Sequence, residues 1–167
     1  MTSEQGDQLE VARKIALDLL AVRQRSAHEL GAAMARRNVP DDVAGEIIAR
    51  FTGVGLVDDE AFAAALTSTR STVGQRGRHR IRAELQAKGI DREVAESALA
   101  DLDPDDELEA ALALARRRAR SMTSLEPHVA RRRLAGVLAR RGFPSSVVSA
   151  AVSEALGGSV EFSTGQE

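Results

Sequence analysis

The stretch IRAELQAKGIDREVAESAL, residues 81–99, decides the fold. Its positions Ile81, Leu85, Gly89-Ile90, Val94 and Ala98-Leu99 spell a helical stripe, a stop, an apolar anchor and a second stripe. The same order stands 51 positions earlier as Leu30, Met34, Asn38-Val39, Val43 and Ile47-Ile48. It returns 53 positions later as Leu134, Leu138, Gly142-Phe143, Val147 and Ala151-Val152. A period of this size marks repeat architecture, in which each unit buries its apolar face partly against its neighbour. The expected fold is all-α: an elongated tandem array of three three-helix repeats, about nine helices. Such an array offers an extended binding surface rather than a pocket.

Helix signals extend the pattern in both directions. Residues 8–24 read as an amphipathic helix with Val11, Ile15, Leu19 and Val22 on one stripe and Ala12, Ala16 and Leu20 beside it. Ser26 and Glu29 form a capping-box pattern that opens the next helix, which ends near Asn38. Pro40, Asp41 and Asp42 suit the first turn of a third, and Asp58, Asp91 and Asp103 stand where helix caps are needed. Pro127 and Pro144 open the last two helices, and Gly142 lies between them. The expected organisation is a loose N-terminus at 1–7, repeats at 8–53, 58–102 and 104–156, and a flexible polar tail at 157–167. Gly74 to Gly77 reads as the most open connection.

Composition narrows the function. The chain has 167 residues, 43% hydrophobic and 29% charged, with no Cys, Trp or Tyr and four Phe. Without cysteine there is no disulfide or thiol chemistry. Few aromatics argue against a base-stacking platform. No apolar run approaches the length of a membrane span, and the N-terminus carries Glu4, Asp7 and Glu10, so a cytoplasmic protein without membrane association is expected. His28, His79 and His128 fall in no catalytic or metal-ligand pattern, and the acidic runs 58–60 and 103–107 sit at helix starts, where carboxylates serve as caps. No phosphate-loop or dinucleotide motif occurs. The expectation is a non-enzyme with no cofactor and no metal.

The net charge of −2 hides a strong polarity. Residues 91–109 hold nine acids against one arginine, and residues 116–141 hold nine arginines against one acid. The candidate contacts are Arg70, Arg76, Arg78, Arg80, Arg82 and Lys88 around the fifth helix, Arg116, Arg117, Arg118 and Arg120 in the seventh, and Arg131, Arg132, Arg133, Arg140 and Arg141 in the eighth. With Ile81 and Leu85 facing inward, Arg78 and Arg82 are expected to share an outer side. Arginine at this density suits phosphates, which give affinity without sequence reading, and it equally suits an acidic protein surface. The bland alternative is solvated helix faces paired with neighbouring acids.

The run Gly55-Leu56-Val57-Asp58-Asp59-Glu60-Ala61-Phe62-Ala63, continued by Arg70, Gly77, Arg82-Ala83-Glu84-Leu85 and Lys88-Gly89-Ile90, resembles the RecX family of regulatory proteins. Ser26-x-x-Glu29-Leu30 and Arg140-Arg141-Gly142-Phe143 fit the same pattern, so the resemblance spans about residues 10–156. Asp58, Asp59, Glu60, Phe62 and Gly89 are its motif residues. The chain departs from the pattern at Ala61, where a basic residue is common, and at Phe62, where tyrosine is common. The resemblance implies a non-enzymatic monomer that binds the RecA nucleoprotein filament, with DNA contacted through phosphates. It further implies inhibition of RecA ATPase and strand exchange, within recombination, repair and the SOS response. Two other readings of the same arginines stay open: a stand-alone DNA-binding protein and a helical adaptor.

Overall fold

The computed structural model describes residues 2–157, whose order is α1 (Thr2–Val22), α2 (Ala27–Ala35), α3 (Asp41–Gly53), α4 (Asp59–Thr72), α5 (Arg78–Ala87), α6 (Arg92–Ala100), α7 (Pro104–Ala119), α8 (Pro127–Arg140) and α9 (Ser145–Gly157). Among the described residues there are nine helices and no strand, and no helix is long and apolar enough to cross a membrane. The chain forms two compact units. One runs up to Ala65 and includes Leu85–Glu96; the other takes Leu66–Glu84 and the chain from Ser97 onward.

The repeat positions make the cores. Leu30, Ile81 and Leu134, and one turn on Met34, Leu85 and Leu138, are all fully buried. The anchors after each stop, Val39, Ile90 and Phe143, are buried as well. In the first unit α1, α2 and α3 pack together around Leu30, Met34, Ile47 and Phe51. In the second, α7, α8 and α9 pack around Leu114, Leu134, Leu138 and Phe143.

Local chemistry sets the helix ends. The Ser26–Glu29 capping box is complete: the Ser26 hydroxyl accepts from Glu29 N–H (3.1 Å) and the Glu29 carboxylate from Ser26 N–H (3.2 Å). Asp58, Asp91 and Asp103 carboxylates accept backbone N–H bonds of 2.8–2.9 Å from Ala61, Glu93 and Asp105. Each middle helix, α2, α5 and α8, is followed by a left-handed residue: Asn38 (φ 58°), Gly89 (φ 71°) and Gly142 (φ 91°).

Two expectations for the N-terminal helix change. Residues 2–7, expected to be loose, belong to α1, which starts at Thr2. Glu4 lies in its first turn, where the dipole favours a negative charge. Once a helix is nucleated further along, adding solvated polar residues requires no core contact. The buried face is also shifted: Ala12 and Ala16 are fully buried, whereas Val11 and Val22 are exposed. Alanine lets neighbouring helices approach most closely, so the alanine pair rather than the valine stripe defines the contact. The tail expected at 157–167 lies, beyond Gly157, outside the described residues.

Candidate binding surface

The candidate cations divide by what their heads meet. Arg70 grips Glu84 through its Nε (2.9 and 3.0 Å) and one terminal nitrogen (2.6 Å), and Arg76 adds a 2.8 Å bond to the same carboxylate. The Arg70 hydrogen bonds hold the Glu84 carboxyl below its usual range, against the opposing effect of burial, and hold the Arg70 guanidinium above its own. Arg78 reaches the buried Glu107: its backbone N–H donates to Oε1 (2.9 Å), and its Nε and a terminal nitrogen to Oε2 (2.8 Å each). Lys88 donates to Glu29 (2.7 Å), which Arg23 also holds (3.0 Å). Burial pushes the Glu29 carboxyl up, but the Arg23 and Lys88 bonds outweigh it and bring its pKa down to about 2.

Arg78 therefore does not share an outer side as the sequence suggested. The cause is Glu107, 29 positions away, which needs a cation once α7 buries it. Arg82 is only partly exposed and contacts His79 (3.2 Å).

The remaining arginines, all in the second unit, are mostly on the outside. Arg80, Arg118, Arg120, Arg132, Arg133 and Arg140 are exposed and their side chains make no hydrogen bond or ion pair among the described residues. Arg116 pairs with Glu154 (2.7 Å) while both stay more than half exposed. Arg131 meets the Ser153 hydroxyl at 3.3 Å and is also exposed.

Several of them converge on the connection between α4 and α5. Arg117 donates to the Gln75 side-chain oxygen (3.0 Å), and Arg141 to the Gly74 carbonyl (3.1 Å). Gly77 N–H and His79 N–H donate to the carbonyls of Arg141 (2.9 Å) and Gly142 (3.0 Å). A β-carbon on Gly77 would overlap the Gly142 carbonyl, so only glycine fits there. This segment, read from sequence as the most open connection, is instead pinned by α7 and α8. It gathers Arg80, Arg117 and Arg141 around one loop. Their sequence separation hid this, and only the two glycines, Gly74 and Gly77, hinted at a close approach.

Against known proteins, residues 12–51, 58–99 and 105–152 match the first, second and third three-helix domains of RecX. The chain belongs to the RecX family. A regulatory protein RecX of Mycolicibacterium smegmatis is 42% identical over 151 residues, covering 88% of this chain and 80% of the relative. One of Streptomyces coelicolor is 35% identical over 150 residues, covering 90% and 80%. The crystal structure of RecX from Lactobacillus salivarius superposes with a TM-score of 0.84 at 22% identity, over 90% of this chain and 97% of that one, a likeness of fold. A second RecX crystal structure gives 0.82 at 26% identity, over 87% and 73%. These kin assign the chain a regulatory role.

The motif residues of this RecX family member turn out to be builders. Asp58 caps α4, and Asp59 accepts the N–H of Ala27 at the start of α2 (2.9 Å). Phe62 is buried in place of the commoner tyrosine, Gly89 packs against His28, and Glu60 and Ala61 are exposed.

Proposed function

We propose that this RecX family member binds the RecA–DNA filament and restrains it, lowering RecA ATPase and strand exchange without chemistry of its own. What carries this reading is kinship with regulatory RecX proteins along all three three-helix domains. The exposed arginines of α7 and α8, with Arg80 beside the α4–α5 loop, form the contact surface in this reading. Guanidinium groups without internal partners are free to meet phosphates of filament DNA or acidic recombinase side chains. All three phenylalanines among the described residues are buried, so the contact reads backbone charge and not bases. The molecule acts in the cytoplasm, where the filament forms.

The test is RecA ATPase on single-stranded DNA, titrated with this protein from far below to equal the recombinase concentration. Inhibition well below one-to-one is expected for a modulator acting on filament ends or assembly. Inhibition only near saturation points to coating of the filament. Unchanged ATPase at concentrations that saturate binding to DNA would replace this reading with a stand-alone DNA-binding protein, whose affinity falls steeply with salt.

A further inference from the structure

A serine closes the arginine run of α7. Three hydroxyl side chains among the described residues have an arginine three positions before them: Ser26, Ser121 and Thr123. Ser26 is fully buried, and its hydroxyl donates to the Lys88 carbonyl (2.7 Å), so no enzyme can reach it. Ser121 is exposed in the turn between α7 and α8. Arg116, Arg117, Arg118 and Arg120 stand five, four, three and one positions before it. Thr123 is exposed as well, but only Arg118 and Arg120 lie within the five positions before it. Kinases choose substrates by charge pattern, and an exposed serine behind this arginine run fits an enzyme whose cleft is acidic.

The surroundings of Ser121 dictate where a phosphate on it would go. The Ser121 hydroxyl and N–H both donate to the Arg118 carbonyl (2.9 and 3.2 Å), so the serine continues the last turn of α7. It therefore lies beside Arg117 and Arg118, four and three positions back. Met122, the next residue, packs against the core of α7, α8 and α9 and holds the turn in place. The Arg118 and Arg120 heads have no partner among the described residues, and Arg117 holds the Gln75 side-chain oxygen (3.0 Å) in the α4–α5 connection. A phosphate ester lacks the proton that the Arg118 carbonyl accepts. It also sets nearly two negative charges at the negative end of the α7 dipole. It must turn from the carbonyl toward the guanidinium groups one turn back, where it gains charge-assisted hydrogen bonds.

We propose that Ser121 is a phosphorylation site, and that its phosphate switches off the arginine surface at the end of α7. The chemistry comes from a protein kinase and a nucleoside triphosphate. The Ser121 oxygen attacks the γ-phosphorus, the bond from that phosphorus to the bridging oxygen breaks, and the nucleoside diphosphate leaves. The hydroxyl proton passes to a base of the kinase. The new phosphate claims Arg117 and Arg118, which withdraws two cations from any outside anion. Arg117 lets go of Gln75, and the α4–α5 connection loses one pin while keeping its bonds to Arg141. The proposal rests on the reading of these arginines as the contact surface, and not on which anion they meet.

The test compares three full-length chains: unmodified, with phosphoserine incorporated in place of Ser121 during synthesis, and Ser121→Ala. Affinity for a short DNA duplex is read against salt. The slope of log affinity against log salt is expected to flatten by about two in the phosphorylated chain, one for each arginine withdrawn, and to stay unchanged in Ser121→Ala. Amide exchange at Arg76 is expected to quicken about fivefold, as for one hydrogen bond lost from the loop. Either readout left unmoved by the phosphate overturns the switch. An unmodified chain that binds no duplex would count against the contact surface, and the exchange at Arg76 would then decide the switch alone. Phosphopeptide mapping of the protein taken from its own cells is expected to find phosphoserine at Ser121; its absence there overturns the modification.

Discussion

Arg76 and Arg78 lie as close together in the chain as Arg116 and Arg118, yet the two pairs do different work. Arg76 and Arg78 both end on carboxylates that the fold shields from water, Glu84 in part and Glu107 almost wholly. Arg118 ends on nothing within the protein, and Arg116 on a glutamate as exposed as itself. The difference lies in the acids. A carboxylate carried into a helix interface demands a charged partner, because an unpaired buried charge is far costlier than a solvated one. Basic density along the chain therefore marks two populations, one holding the fold and one facing solvent.

Removing Arg78 should break that comparison most visibly. Arg78→Ala leaves Glu107, 4% exposed, with a single backbone donor. The expected loss is about 3 kcal/mol or more in urea denaturation; a loss below ~1 kcal/mol would place Arg78 with the solvated population. Acid should probe the same distinction at Glu29. Its folded pKa of about 2 lies below the ordinary value of 4.5, so its stabilisation is complete above pH 4.5 and disappears as pH falls through 2. The contribution is on the order of 3 kcal/mol. Thermal melts from pH 6 to 2 should show it, and Glu29→Gln should flatten the slope in that window. A profile unchanged in Glu29→Gln would mean that other carboxylates govern acid stability.

Arg116→Ala tests the intermediate case, a paired but exposed arginine. Its cost should stay under about 1 kcal/mol, since solvent screens the pair. The smallest effect on folding belongs to replacement of Arg131, Arg132 and Arg133 together by Glu. These exposed positions should tolerate it with a change within about 1 kcal/mol, while binding to the RecA–DNA filament is lost. A folded triple variant that still inhibits RecA ATPase would remove this cluster from the proposed contact surface.

Much of the fold was legible because its determinants are local or periodic. Leu30, Ile81 and Leu134 repeat at a spacing that a single chain displays, and the Ser26–Glu29 box is complete within four residues. The Asp58, Asp91 and Asp103 caps announce themselves by residue type. The sorting of the arginines was not legible. Arg78 finds Glu107 at a separation of 29 residues and Lys88 finds Glu29 at 59, and neither helix sequence names its partner. The pinning of the Gly74–Gly77 connection was hidden for the same reason: its contacts, Arg117 and Arg141, come from helices whose own periodicity records only their inward faces. The exposed set is what remains after subtracting these distant pairs.

The hydrogen bonds that start α2 and α5 also impose an order on synthesis. When Ser26 is added to the growing chain, the carbonyl that will accept its hydroxyl hydrogen bond is still 62 residues from being made. At about 5–20 residues per second, that partner follows roughly three to twelve seconds later. The start of α5 waits in turn for Glu107 and Arg141. The third middle helix, α8, starts at Pro127, and the N–H groups of Val129 and Ala130 bond back to the Glu126 carbonyl. A nascent chain thus carries an unfinished start of α5 until Arg141 is made, and these two junctions can close in order from the amino end toward the carboxyl end.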